Sequence, residues 1–272
     1  MIVPIPILKI ALVPALIAGV TLVGRRFGPG LAGTFASFPI VGGPILLFLT
    51  LERGTAFGAE TARGVLLGTP AFVAFCLAYA RVSRRAGWLA SLTAGLAAFF
   101  AGVGLLSLLS VPLAGAAGLA VASTIAAPWF FPPPSPLTPA GSLPRSEILV
   151  RMAAAAALVA AITAVAGTVG ARWSGLLTPF PVATSVLAVF SQRAQGRAFT
   201  GRLLQGTILG LHAYIVFFII LALSLEGIGT GPAFLCAFAG ALAAQGLSFA
   251  ILPRILDPGL PRARADPPLP SP

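Results

Sequence analysis

Charged residues are scarce in this chain of 272 residues: only 8% are Asp, Glu, Lys or Arg, against about 25% in ordinary globular domains. Hydrophobic residues make up 58% of the chain, and its mean hydropathy is +1.01. Apolar runs of about 20 residues, the length that crosses a bilayer as a helix, recur along the whole sequence. This composition excludes a soluble globular domain and predicts an all-α polytopic membrane protein.

Groups that do chemistry are equally scarce. The single histidine and the two cysteines, Cys76 and Cys236, form no metal cluster or catalytic set. No carboxylate lies deep in an apolar run, so nothing supports ion coupling through a buried acid. We therefore expect no enzyme activity, no metal site and no cofactor. The six carboxylates are Glu52, Glu60, Glu147, Glu226, Asp257 and Asp266.

The net charge of +11 does not indicate a nucleic-acid partner, because the 17 basic residues are dispersed between apolar runs. If nine spans cross the bilayer, every basic residue except Lys9, Arg53, Arg63 and Arg172 falls on one face. The positive-inside rule then predicts a multi-pass protein of the inner (plasma) membrane, with its amino terminus outside and its carboxyl terminus in the cytoplasm. The nine predicted spans are 3–23, 31–51, 57–80, 87–109, 112–130, 148–169, 174–191, 200–225 and 230–252.

An internal repeat emerges when the sequence is shifted by 142 positions, which aligns residues 33–75 with 175–217 without a gap. Such a match is typical of a duplicated unit. The identical pairs are Gly33/Gly175, Phe38/Phe180, Pro39/Pro181, Phe48/Phe190, Gly54/Gly196, Ala56/Ala198, Phe57/Phe199, Gly64/Gly206, Leu67/Leu209, Gly68/Gly210, Ala71/Ala213 and Phe75/Phe217.

The repeat predicts two four-helix membrane units, at 1–110 and 147–253. A linking helix and a proline-rich loop at 111–146 join them, and a disordered cytoplasmic tail follows at 254–272. If the linking helix crosses the bilayer, the second unit is inverted relative to the first, as in many secondary transporters. Equivalent loops carry opposite charge bias, as opposite faces require.

The spacing from Phe38-Pro39 to Glu52-Arg53-Gly54, followed by an apolar helix, resembles the GlpM-like family of small four-helix inner-membrane proteins. The second unit keeps Phe180-Pro181 and Gly196 but has Ala194-Gln195 in place of the acidic-basic pair. The resemblance implies tandem four-helix units and brings no activity with it.

Both Phe-Pro segments carry helix breakers in apolar spans, and hydroxyl groups lie nearby. Proline removes a backbone donor, so we expect unpaired carbonyls of Phe35, Ile40, Gly175 and Leu177 to face protein, water or solute. Two readings remain open: broken helices framing a substrate site, or kinks that serve close packing. The candidate substrate-binding residues are Ser37, Phe38, Pro39, Gly42, Gly43, Thr178, Pro179, Phe180, Pro181, Thr184 and His212.

Other polar residues carry less weight. Gln205, Tyr214 and Gln245 belong to the second unit and are weaker candidates for the same interior. Lys9 and Arg151 are expected to snorkel to the membrane surface.

The leading hypothesis is a transporter or permease that moves a small solute through the interface of the two units. The alternative is a non-transporting membrane scaffold or accessory protein. Expected partners are the lipid bilayer and a small solute, and a homo-oligomer is compatible with the sequence.

Overall fold

In a computed structural model, residues 19, 22, 26–39, 42–133 and 171–256 are described, and their regular structure is entirely α-helical. The predicted spans at 3–23 (apart from residues 19 and 22) and 148–169, with Lys9, Arg151 and the tail beyond Leu256, lie outside these residues. The described helices are α1 (Pro29–Ala36), α2 (Gly42–Arg53), α3 (Thr55–Ser83), α4 (Trp88–Ser107), α5 (Leu113–Phe130), α6 (Ala171–Leu177), α7 (Val182–Ala194), α8 (Gly196–Ile228) and α9 (Thr230–Leu256).

Six described segments are long and apolar enough to cross a membrane: α3, α4, α5, the pair α6–α7, α8 and α9. They include Leu113–Phe130, the predicted linking helix, which is rich in small residues. Repeated apolar helices of this length are what an integral membrane protein requires.

Two of the predicted spans are broken helices. The span at 31–51 divides into α1 and α2, with Ser37–Pro39 leading out of α1. The span at 174–191 divides into α6 and α7 at Thr178–Pro181. Both breaks contain proline, which cannot donate to the helical hydrogen-bond ladder. In each of these apolar spans, one helix therefore ends and a second helix begins part-way along the span.

The interior of the protein is formed by α3, α8 and the broken helices, whereas α4, α5 and α9 lie at the periphery. The aromatic rings of Phe75 and Phe217 are fully buried. By contrast, Leu105 on α4 and Leu235 on α9 are about two-thirds or more exposed, at 67% and 74%. Large exposed apolar side chains on peripheral helices form a surface suited to lipid.

Glycines allow the short helices to touch the long ones. Two glycines, Gly64 and Gly175, meet where α6 crosses α3. A Cβ on Gly64 would lie 2.9 Å from the carbonyl oxygen of Arg172 and from the Cα of Gly175. Where α1 crosses α8, a Cβ on Gly206 would lie 2.8 Å from the carbonyl carbon of Gly30. Small residues permit this backbone approach between membrane helices. The hydroxyl of Thr34 donates to the carbonyl of Gly206 at 3.1 Å across the second crossing.

The two ends of the molecule differ in charge. At the basic end, defined by the exposed Arg84, Arg85, Arg193 and Arg197, the side chain of Arg197 donates to the carbonyl of Arg84 at 2.7 Å. Because α8 begins where α3 ends and the two pack together, they run antiparallel.

The mixed-charge end is defined by Glu60, Arg63 and Arg172. Glu60 and Arg63 form an ion pair of 2.8 Å. Arg172 donates to the carbonyls of Ser107, at 2.7 Å, and Leu109. The start of α6 is therefore held against the turn between α4 and α5.

Candidate functional site

Hydrogen bonds at the breaks differ from the expectation of unpaired carbonyls. The carbonyl of Phe35 accepts from the N–H of Phe38 at 3.2 Å, and that of Leu177 accepts from Phe180 at 2.9 Å. The carbonyl of Gly175 accepts from Thr178 at 3.1 Å. The expectation was wrong for these three carbonyls because the last turn tightens to bonds spanning three residues, which is a common way to end a helix. Ile40, the fourth predicted carbonyl, lies outside the described residues.

A cavity of about 60 Å³ lies between the two breaks. At about 10–15 Å³ per water molecule on the same measure, it can hold a few waters or one small solute. Both broken helices and both long helices contribute to its walls. The lining residues are Ala36, Ser37, Phe38, Gly42, Thr69, Phe72, Thr178, Pro179, Ala183, Thr184, Leu211 and Tyr214.

Six of the eleven candidate residues predicted from the sequence therefore lie together at one cavity. They come from segments more than 130 positions apart in the chain, which the breaks bring face to face. These six are Ser37, Phe38, Gly42, Thr178, Pro179 and Thr184.

The other five candidates lie outside the lining. Pro39 and Pro181 are buried, and their carbonyls accept the first bonds of α2 and α7, each at 2.8 Å. Gly43 packs against the ring of Phe217, where an added Cβ would lie 3.2 Å from the ring edge. These residues lie at the start of each second half-helix, and they support the cavity wall without lining it.

Phe180 and His212 face other surroundings. Phe180 stacks edge-on against Phe99 on α4, with ring centroids 5.4 Å apart. His212 is partly buried, and its Nδ1 lies 2.8 Å from the carbonyl of Leu209 in its own helix. This contact satisfies one ring nitrogen locally, as expected for a histidine that packs within a helix.

Tyr214 carries a buried hydroxyl in the cavity lining that lacks a hydrogen-bond partner among the described residues. It is only 8% exposed, and its hydroxyl has no hydrogen-bond partner among the described residues. The hydroxyl lies beside Gly42, 3.2 Å from the place where a Cβ would stand. A buried hydroxyl without a partner carries a free-energy cost that a bound solute or water can remove.

Sequence reasoning gave little weight to Tyr214 and missed the other five lining residues, which are Ala36, Thr69, Phe72, Ala183 and Leu211. A spacing of four residues could have found two of them. The series Gly64, Gly68 and Phe72 on α3, like its counterpart on α8 that ends in Tyr214, lies along one helix face. The glycines of each series contact a short helix, so the next residue of the same face reaches the break.

The cavity lining contains no Asp, Glu, Lys, Arg or His. Within the described residues, there is also no group of three or more His, Cys, Asp or Glu residues that could hold a metal ion. Recognition in this cavity would therefore depend on hydroxyls, backbone groups and aromatic surfaces.

Comparison with known proteins finds no similar chain. No family model matches it, and no curated protein or solved structure matches it.

Proposed function

We propose that this protein is a membrane permease for a small solute, built from two inverted four-helix units similar to the GlpM-like unit. Helix positions support the duplication. Helices α4 and α9 begin 142 positions apart, at Trp88 and Thr230, and the prolines of the two breaks, Pro39 and Pro181, have the same offset. This is the offset of the sequence repeat.

Reciprocal contacts support a two-fold relation between the units. Gly64 meets Arg172 and Gly175 at the crossing of α3 and α6. Gly206 meets Gly30 at the crossing of α8 and α1. The two contacts are equivalent: Gly64 corresponds to Gly206, and Arg172 corresponds to Gly30, each 142 positions away in the other unit. An exchange of this kind is what a two-fold axis produces.

The antiparallel packing of α3 and α8, which are equivalent helices in the proposed repeat, supports inversion. The axis then lies in the membrane plane, as in transporters built from inverted repeats. Under the positive-inside rule the basic end faces the cytoplasm and the mixed-charge end faces outward.

The observation that carries the function is the composition of the cavity wall. Ten of its twelve residues form five pairs separated by 142 positions, so the cavity lies on the proposed axis between two broken helices. Transporters place their substrate sites at this position, where helix breaks expose backbone polar groups. The five pairs are Ala36/Thr178, Ser37/Pro179, Gly42/Thr184, Thr69/Leu211 and Phe72/Tyr214.

Water access to the cavity tests the proposal without knowledge of the solute. Thr184 lines the cavity and is 3% exposed, whereas Thr124 on α5 is 1% exposed and lies away from it. Each is replaced by cysteine in a chain without the native cysteines. We expect silver ion, a thiol reagent small enough for the cavity, to modify the Thr184→Cys protein in membranes and to leave the Thr124→Cys protein unmodified.

A scaffold protein needs no such access. Protection of the Thr184→Cys thiol from reagent on both faces, in a protein that remains folded, would contradict the permease. Filling the cavity supplies a second readout once a solute is known. Ala183→Leu should abolish transport, whereas Ala101→Leu on the exposed surface of α4 should leave it unchanged.

A further inference from the structure

A helix N-terminus meets the cavity. Helix α7 has 13 residues beginning at Val182, and Ala183 and Thr184 in its first turn line the cavity. The first-turn N–H groups of a helix have no partner within it, and the aligned peptide dipoles make this end positive. Both features favour an anion or another strong acceptor.

The start of α7 leaves backbone groups without partners at the cavity. The N–H of Val182 donates to Phe180 at 2.7 Å, and that of Ser185 donates to Pro181 at 2.8 Å. Between them, the N–H groups of Ala183 and Thr184 have no backbone acceptor among the described residues, and the carbonyls of Thr178 and Pro179 likewise accept no backbone N–H there. The two N–H groups lie at the positive end of α7, so they are the donors that an anion would meet.

Tyr214 adds an independent observation. Its hydroxyl is buried, has no partner among the described residues and lies against Gly42 at the start of α2. The hydroxyl protons of Ser37, Thr69 and Thr178 are already donated to carbonyls of their own helices, at 3.1, 2.9 and 2.6 Å. Tyr214 is thus a side-chain donor of a lining residue whose proton has no acceptor among the described residues.

The cavity wall holds no negative charge that would attract a cation. Cation sites in proteins commonly supply carboxylates, and the lining has none. At the basic end of the molecule Arg193 and Arg197 are exposed, and positive charge there raises the local concentration of anions.

We propose that the cavity binds a small monovalent inorganic anion, of halide or nitrate size. This inference rests on the proposed permease function and specifies its solute. The anion accepts hydrogen bonds from the N–H groups that begin α7 and from the hydroxyl of Tyr214. The volume of about 60 Å³ accommodates one such ion.

The two tyrosines of the chain provide a matched pair of variants. Tyr79 and Tyr214 are both buried, and both hydroxyls have no partner among the described residues, but only Tyr214 lines the cavity. Tyr214→Phe and Tyr79→Phe each remove one oxygen atom. Tyr214→Phe also makes the position match Phe72, its counterpart in the other unit, so that a well-folded variant is expected.

The experiment measures chloride and nitrate efflux from proteoliposomes with ion-selective electrodes, in the presence of valinomycin and a potassium gradient. We expect saturable anion flux. Tyr214→Phe should raise the half-saturating anion concentration about tenfold or more, the loss expected for one hydrogen bond to a charged group. Tyr79→Phe should match the original protein.

Other outcomes separate the two proposals. Equal half-saturating concentrations in the two tyrosine variants would overturn the anion site. Protein-dependent flux of sodium ions or glycerol without chloride or nitrate flux would also overturn it and would leave the permease standing. If the Thr184→Cys thiol is in addition closed to water on both faces, the permease itself fails.

Discussion

Gly206→Ala should weaken the protein, because the helix crossing at this position leaves no room for a methyl group. An added Cβ would lie 2.8 Å from the carbonyl carbon of Gly30 and closer still to its oxygen. These are backbone atoms, so no side chain can rotate away and α1 must separate from α8. Separation also lengthens the 3.1 Å hydrogen bond from Thr34 to the carbonyl of Gly206.

Overpacking of this kind costs about 1–3 kcal/mol or more, and replacing a helical glycine returns about 1 kcal/mol. Because the contact is with backbone atoms, the upper end of this cost applies, and we expect a net loss of about 2 kcal/mol in the free energy of unfolding. Gly201 lies in the same helix and has nothing within 4 Å of an added Cβ. Gly201→Ala should be neutral or gain up to about 1 kcal/mol.

Reversible unfolding in mixed dodecyl maltoside and sodium dodecyl sulfate micelles, followed by tryptophan fluorescence, measures both variants. The proposed two-fold axis adds Gly64→Ala, whose Cβ would lie 2.9 Å from the carbonyl oxygen of Arg172, and which should lose stability like Gly206→Ala. Equal stability of the Gly206 and Gly201 variants would refute the close backbone approach. A stable Gly64→Ala beside a weakened Gly206→Ala would instead refute the reciprocity of the two crossings.

Three further predictions concern the junctions and the ends of the molecule. Gly54→Ala and Gly196→Ala place side chains at φ values of 91° and 83° and should each cost about 1–3 kcal/mol of stability; unchanged unfolding would contradict this. Arg172→Gln removes bonds to the carbonyls of Ser107 and Leu109 and should speed amide hydrogen exchange in the turn after α4, but not in the turn after α3. Single cysteines replacing Arg85 and Glu226 should react with an impermeant maleimide from opposite membrane faces, and labelling of both from one face would refute the inverted arrangement.

The sequence was sufficient to predict the long helices and the breaks. Apolar length alone predicted α3, α4, α8 and α9 to within a few residues, because burial in lipid requires continuous apolar helix. Prolines at 39, 179 and 181 predicted interruptions where the structure has them. The bonds that then satisfy the carbonyls of Gly175 and Leu177 were not predicted, because a tightened turn depends on local geometry that proline content does not specify.

The cavity was predicted only in part, for a related reason. Residues at the breaks carry a visible signature, so Ser37 and Thr184 were found. Thr69 and Tyr214 line the same cavity from the middle of regular helices, where no local feature marks them. Which face of a buried helix meets a cavity depends on the crossing angle and the contact point of its neighbour. His212 was chosen for being ionisable, but Leu211 before it and Tyr214 two residues after it are the residues that line the cavity.

In the proposed repeat, equivalent residues are identical at some places and different at others. At the helix crossings the glycines of the long helices are the same in both units, in the pairs Gly64/Gly206 and Gly68/Gly210, because an added Cβ at each would meet backbone atoms. None of the five pairs in the cavity wall is identical, and one of them sets the phenyl ring of Phe72 against the phenol of Tyr214. A single ion on the axis needs its donors only once, and most aligned pairs in the rest of the repeat differ as well. Tyr214→Phe tests whether this difference matters for binding by making the pair identical.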